Sequence, residues 1–124
     1  MAELREQQIE VLQMIPEYVS KLAPAFREIA GELATEKKDD TIQFLNQAIE
    51  GLNFVIEAFN ATYDLLNAEE ELFQKDVVEQ KIQAMDAAVG ANDDQAMAAA
   101  IEDGIIPFLE IFAKITSIFL EKNA

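Results

Sequence analysis

The 124-residue chain contains no cysteine and no histidine. Without cysteine it has no disulfide, no thiolate metal ligand and no thiol nucleophile. Without histidine it lacks the side chain that serves most often as a general base and as a metal ligand. The di-iron sites of helical bundles need Glu-x-x-His pairs, so that class of protein is excluded.

Glycine and serine are also scarce. The four glycines are at positions 31, 51, 90 and 104. This spacing does not fit a glycine-rich phosphate-binding loop, and neither Ser20 nor Ser117 lies in a G-x-S-x-G nucleophile motif. Residues 92–94 (Asn-Asp-Asp) lack the spacing and the terminal glutamate of a calcium loop. We therefore expect no catalytic residue, no metal ligand and no cofactor, and predict that the protein is not an enzyme.

Basic residues are also few. Nine lysines and arginines stand against 24 aspartates and glutamates, so the net charge is −15 at pH 7. A chain this acidic lacks the basic surface of a nucleic-acid-binding protein, and its charge opposes attachment to anionic lipid. The acids either attract a basic partner or keep a hydrophobic protein soluble. Composition leaves both interpretations open.

Hydrophobic residues make up 51% of the chain, which is typical of folded globular proteins. The length suits one domain, and we predict a single helical-bundle domain over residues 1–124. The first ten residues are charged and glutamine-rich and do not resemble a signal peptide. Together with the absence of cysteine, this favours a cytoplasmic protein.

Apolar residues at alternating spacings of three and four predict four helices and no strand. The first helix runs from about Glu3 to Glu36 and the second from about Asp40 to Asn67. Pro16 and Pro24 lie inside the first helix. Because each proline removes a backbone donor and crowds the preceding turn, we expect a kink or a break there.

The ends of the third and fourth helices are marked by capping residues. The third begins either in residues 67–71 (NAEEE) or at the capping box of residues 76–79, and Gly90 terminates it in a left-handed conformation. Asn92 caps the fourth helix, which extends to about Leu120. Loops this short favour antiparallel neighbours. We predict an all-α, antiparallel up-and-down four-helix bundle with Pro-kinked helices.

The fourth helix is almost entirely apolar from Ile105 to Leu120. This run is too short and too often interrupted by polar side chains to span a membrane, so we predict a buried helix. Gly104 and Pro107 predict a bend in the helix at the start of this apolar run, because Pro107 leaves the carbonyl of Asp103 without its usual donor.

The predicted second helix carries two apolar stripes. The first consists of Ile42, Leu45, Ile49, Leu52, Ile56, Phe59, Tyr63 and Leu66. The second consists of Phe44, Gly51, Phe54, Ala58, Ala61 and Leu65. A helix at the edge of a bundle needs one stripe, so the second predicts packing on both sides, against a helix of the same chain or of another subunit.

The apolar surface of the fourth helix favours another subunit, and we predict a homodimer through the second and fourth helices. The candidate interface residues are Phe44, Gly51, Phe54, Ala58, Ala61, Leu65, Ile111 and Ile118. Asn46, Asn53 and Asn60 recur every seven residues on the second helix, although asparagine is a poor helix former. Their amides either fix the register of a helix pair or form a solvated flank.

Two segments, residues 48–54 (AIEGLNF) and residues 102–110 (EDGIIPFLE), resemble small all-helical bacterial proteins, mainly Gram-positive, of unknown function. The resemblance covers about half of the chain, and Gly104 replaces the bulkier residue expected there. It implies an intracellular helical bundle and no particular activity.

We therefore predict a non-enzymatic helical-bundle protein that acts through helix–helix interaction, with itself or with a partner that has a basic or amphipathic helix. One alternative is an export- or secretion-chaperone-like module that holds an amphipathic client segment, by analogy of fold. Another is a bundle that binds a small ligand in its core.

Overall fold

All elements that the structure describes are helical, which confirms the all-α class. The structure is a computed structural model, and it describes residues 2–68 and 74–122, with side chains from Leu4 onwards. The elements are α1 (Ala2–Ala34), α2 (Thr41–Leu66), α3 (Lys75–Gly90), α4 (Asp94–Ala100), a π-helical turn (Ile101–Ile105) and α5 (Ile106–Lys122). The last three are continuous and together form the predicted fourth helix. Among the described residues, no helix is both long and apolar enough to cross a membrane.

The longest helix, α1, packs against α2, α4 and α5, whereas α3 packs mainly on α4 and the π-helical turn. It passes through Pro16 and Pro24 as one helix, so the predicted break does not occur. Apolar residues at alternating spacings of three and four form its buried face. The buried members are Leu12, Ile15, Val19, Leu22, Phe26, Ile29 and Leu33. This continuous face makes α1 the element on which α2, α4 and α5 pack.

A side-chain hydrogen-bond pair fixes the connection between α1 and α2. Asp40 precedes the first residue of α2 but makes no side-chain cap. Instead the fully buried Thr41 accepts a hydrogen bond at Oγ1 from the backbone N–H of Lys38, at 2.8 Å, and donates one to Glu32 Oε1, at 2.6 Å. The end of α1 is thereby tied to the start of α2.

The predicted start of α3 is one residue late. The helix begins at Lys75, so Asp76 lies inside the first turn and the capping box of residues 76–79 does not form. Gln74 occupies the cap position without a side-chain hydrogen bond. The alternative predicted start is residues 67–71. Asn67 is the C-cap of α2, and residues 69–71 lie outside the described residues.

The predicted caps between α3 and α4 are each displaced along the chain. Gly90 keeps a negative φ and is the last residue of α3, and the left-handed residue is Asn92, at φ 53°. Asparagine tolerates this conformation because its short side chain forms local hydrogen bonds. Asn92 therefore cannot cap α4. Asp93 does so by accepting a hydrogen bond from the N–H of Ala96, at 3.1 Å.

A π-helical turn stands where Gly104 and Pro107 predicted a bend. The N–H of Ile106 donates to the carbonyl of Ile101, five residues back, and the next residue, Pro107, has no N–H to donate. Gly104 is buried in this turn, and a Cβ added to it would lie 3.3 Å from Lys81 Cβ. The glycine therefore allows α3 to approach closely.

Gly51 of α2 lies very close to two side chains of α1. A Cβ added there would lie 2.8 Å from Tyr18 Oη and 3.1 Å from Leu22 Cδ1, both on α1. Gly31 also lies within a helix, but an added Cβ there would meet no atom within 4 Å. The two glycines form a matched pair for testing the packing of α1 on α2.

We predict opposite effects on stability for Gly51→Ala and Gly31→Ala. Alanine at Gly31 should raise the free energy of unfolding by about 0.5–1 kcal/mol, because glycine is a poor helix former. Alanine at Gly51 should lower it by about 1–3 kcal/mol, because Tyr18 and Leu22 must move. Urea denaturation followed by circular dichroism measures both. Stabilisation by both substitutions would contradict the α1–α2 packing described here.

Candidate interaction surfaces

The buried face of α2 is centred on four residues that belong to neither predicted stripe. Thr41, Ala48, Val55 and Thr62 recur every seven residues, and all four are buried. On a helix they lie between the two stripes, which are therefore the two flanks of one broad buried face. The interpretation of α2 as a helix with two separate apolar faces is wrong. Thr62 enters the core because its hydroxyl donates to the carbonyl of Ala58, at 2.7 Å.

The second stripe of α2 faces α1 of the same chain. Gly51 and Ala58 are buried, Phe44 and Leu65 are half-buried, and Ala61 is exposed. The predicted interface residues on this stripe thus divide between the intrachain core and its edge.

Phe54 lies at that edge. Its half-buried ring packs on Tyr18 of α1, with the ring centroids 5.1 Å apart and the planes tilted by 60°. Tyr18 also covers Gly51, so the same side chain of α1 contacts both positions. The sequence leaves open whether the second stripe of α2 packs against the same chain or another subunit. At Gly51 and Phe54 it packs against α1 of the same chain.

The asparagine column lies outside the buried face. Asn46, Asn53 and Asn60 are exposed on α2. Asn67, the next member, donates from Nδ2 to the carbonyl of Tyr63 at the end of the helix, at 2.7 Å. Within one chain the first three form a solvated flank, and their role in fixing the register of a helix pair stays a prediction.

One side of α5 is buried, and the helix exposes two isoleucines beside that buried side. The rings of Phe108 and Phe112 pack edge-on against Phe59 of α2, with centroids 5.3 and 5.5 Å away. Ile111 and Ile118, however, are 47% and 43% exposed. The predicted buried helix is therefore buried on one side, and the interface candidates Ile111 and Ile118 are exposed within the single chain.

Ile111, Ile115 and Ile118 define the α5 isoleucine patch. Their spacing of four and three residues places them on one side of the helix, and Ile115 is half-buried between the two exposed members. This is the spacing with which an amphipathic helix presents anchors to another helix. Both predicted interface residues on the fourth helix, Ile111 and Ile118, belong to this patch.

The charges of α5 balance. The helix carries two acids, Glu110 and Glu121, and two bases, Lys114 and Lys122. Glu110 forms an ion pair with Arg27 of α1. By contrast, α2 carries three acids and no base. The α5 isoleucine patch is therefore on a neutral helix of a strongly acidic chain.

A second apolar surface lies where α1 meets α2, on the side away from the core. Met14 and Leu4 of α1 are 53% and 59% exposed. A hydrogen bond of 2.8 Å from Gln8 Nε2 to the carbonyl of Ala61 joins the two helices beside them. We call this surface the α1–α2 apolar strip. Its members are Leu4, Val11, Met14 and Tyr18 of α1 and Phe54 and Ala61 of α2.

Little in the described residues favours a metal or small-molecule site. Within residues 2–68 and 74–122, no three acidic side chains are placed to hold a metal ion. A shallow cleft beside the α1–α2 turn includes Phe44, but its other lining residues are polar or charged. They are Glu28, Glu32, Lys38, Asp40, Gln43 and Gln47. The small-ligand alternative stays a prediction.

A family model covers most of the chain. Residues 10–115 match a family model described as a domain of unknown function (DUF8042). The matched range contains most of α1, all of α2, α3 and α4, and α5 as far as Ile115. No curated protein and no solved structure matches the chain. The match confirms the expected resemblance to a helical family of unknown function.

We predict that Phe54→Lys lowers the free energy of unfolding by about 1–3 kcal/mol, because the substitution removes the ring contact with Tyr18. Ala61→Lys is the matched control, since Ala61 lies seven residues further along the same side of α2 and is exposed. It should change stability by no more than about 0.5 kcal/mol. Chemical denaturation and sedimentation velocity measure stability and subunit number. If Phe54→Lys instead kept full stability and dissociated a dimer, another subunit would cover Phe54.

Proposed function

The chain belongs to this family of domains of unknown function, and on that basis we propose that it is a non-enzymatic protein that acts through helix–helix interaction. Its first partner is a second copy of itself, bound through the α5 isoleucine patch. The observation that carries this proposal is the exposure of Ile111 and Ile118, at 47% and 43%, on one side of a neutral helix. We also propose a cytoplasmic location, to which the absence of cysteine is suited.

Electrostatics favours α5 over the other surfaces for self-association. Two copies that each carry a net charge of −15 repel one another. Contact through α2 would bring three unbalanced acids from each copy together, whereas contact through α5 adds no net charge. Interface cores are depleted of charge in the same way. A dimer through α5 therefore combines apolar burial with the least repulsion.

We propose that the helices form one domain, an antiparallel up-and-down bundle kinked at Pro16 and Pro24. Three hydrogen bonds support the antiparallel arrangement. Gln8, near the start of α1, bonds to Ala61 near the end of α2, and Glu32, near the end of α1, bonds to Thr41 at the start of α2. Gln95 Nε2 of α4 donates to the carbonyl of Ala34 at the end of α1, at 3.2 Å.

We predict that Ile111→Lys and Ile118→Lys each convert the dimer to a monomer without loss of helical content. Both side chains are exposed in the single chain, so the fold does not depend on them. Each lysine lowers the net negative charge, so weaker association would report the lost apolar contact and not added repulsion. Sedimentation velocity and circular dichroism measure the two quantities.

The control for these variants is Val77→Lys, which places the same charge on a 40% exposed apolar residue of α3. It should leave the subunit number unchanged. A wild-type protein that is a monomer at all concentrations tested would overturn the homodimer. If that monomer gained helicity with a client peptide, the export- or secretion-chaperone-like alternative would replace it.

We also predict that the dimer becomes tighter as salt concentration rises. Salt screens the repulsion between two acidic copies but hardly weakens apolar contacts. Sedimentation equilibrium at about 0.05 M and 0.5 M sodium chloride gives the two dissociation constants, across a range in which the screening length falls severalfold. Weaker association at high salt would show that attraction between opposite charges holds the copies together.

A further inference from the structure

We propose that the α1–α2 apolar strip binds an amphipathic helix with basic flanks. This surface is separate from the α5 isoleucine patch, and the proposal does not depend on the homodimer. Two observations carry it: an exposed apolar strip at a helix junction, and a row of carboxylates on either side of that strip.

The strip combines two packed aromatic rings, which form its base, with a flexible methionine side chain. The base is the ring pair of Tyr18 and Phe54, which is held by the packing of Tyr18 over Gly51. Met14, one helical turn before Tyr18 on α1, is 53% exposed. Methionine side chains are flexible and polarisable, and they are common where a surface must fit an incoming helix.

Carboxylates border the strip along α2. Glu50 precedes Phe54 by four residues, and Glu57 follows Phe54 by three, so both lie beside Phe54 on the helix surface. Asp64 follows Ala61 by three residues in the same way. All three acids are exposed and recur every seven residues. They form one continuous acidic row.

A second acidic row borders the strip along α1. Glu10 precedes Met14 by four residues and Glu17 follows it by three, and both are exposed. Lys21 lies near this row and forms an ion pair with Glu17, at 3.7 Å between exposed groups. With this lysine counted, the α1 row carries a net charge of −1, whereas the α2 row of Glu50, Glu57 and Asp64 carries −3. The apolar strip is therefore bordered by negative charge on both sides.

This arrangement selects the chemistry of its partner. From Leu4 to Tyr18 the strip follows α1 for about 21 Å, which is the length of a helix of about 14 residues. A helix with apolar anchors every three or four residues fits the strip, and basic residues beside the anchors meet the two acidic rows. A second copy of this chain and an anionic membrane would both bring negative charge against these rows.

The test uses the full-length protein and a 14-residue peptide of leucine and lysine, with the leucines at helical spacing and a fluorescein label. A peptide of the same pattern with glutamate in place of lysine is its counterpart. Fluorescence anisotropy should show binding of the lysine peptide and none of the glutamate peptide. The affinity should fall as salt rises, because screening weakens the attraction of opposite charges.

Two sets of variants locate the bound peptide. The double substitution Glu50→Gln and Glu57→Gln should weaken binding roughly two- to fivefold per carboxylate. Glu79→Gln with Asp86→Asn makes the same change of charge on exposed residues of α3 and should leave affinity unchanged. Met14→Lys should weaken binding about tenfold, through lost apolar contact and added repulsion, whereas Val77→Lys on α3 should not. Circular dichroism checks that each variant keeps its helical content.

Several results would overturn the proposal. These are absence of binding by the lysine peptide, equal binding of the two peptides, and equal losses for the α2 and α3 charge variants. Equal losses would mean that the net charge of the whole chain attracts the peptide. Dissociation of a homodimer by Met14→Lys would assign the strip to a second copy of this chain and would also overturn it.

Discussion

The packing of α1 against α2 at Gly51 is the contact on which the rest of the structure depends. Tyr18 and Leu22 occupy the space that any side chain at this position would need. This contact makes the face of α2 that contains Gly51, Ala58 and Val55 an intrachain core. It also leaves Phe54 at the edge of that core, half-buried against Tyr18. The surfaces that remain for partners are then the isoleucine side of α5 and the outer side of the α1–α2 junction.

The helices could be predicted from apolar spacing, but their ends could not. The predicted limits of the first two helices lie within two residues of the limits of α1 and α2. In a long segment the helical period of the apolar residues is unmistakable, so the extent of the helix can be predicted. Between α3 and α4, Gly90, Asn92 and Asp93 are all residues that terminate or cap helices. The choice among them depends on backbone angles, which residue type alone does not decide.

The buried face of α2 was missed for a similar reason. Thr41 and Thr62 are polar, but each hides its hydroxyl in a hydrogen bond, to Glu32 and to the carbonyl of Ala58. Because the centre of the face includes these two polar residues, it forms no continuous apolar stripe, and its two flanks resemble separate stripes. The buried centre could have been predicted from the small or β-branched residues that recur every seven positions: Thr41, Ala48, Val55 and Thr62. On α5 the apolar residues surround the helix, so the sequence predicted Ile111 and Ile118 as interface candidates without showing which side is open.

The placement of charge gives the two surfaces different partners. The α5 isoleucine patch lies on a helix whose two acids and two bases cancel, which favours contact between copies of an acidic chain. The α1–α2 apolar strip lies between rows of carboxylates, which favours a basic helix. One chain with a net charge of −15 thus has one surface suited to itself and another suited to a partner of opposite charge. Its acidity is then part of partner selection as well as of solubility.

The packing of α1 on α2 within one chain can be tested by an isotope-filtered NOESY experiment on an equal mixture of labelled and unlabelled protein, because this experiment separates contacts within a chain from contacts between chains. We expect Tyr18–Phe54 ring cross-peaks only in the intrachain spectrum, and cross-peaks from the methyl groups of Ile111 and Ile118 in the interchain spectrum. Tyr18–Phe54 cross-peaks in the interchain spectrum would contradict this packing, because another subunit would then cover α2.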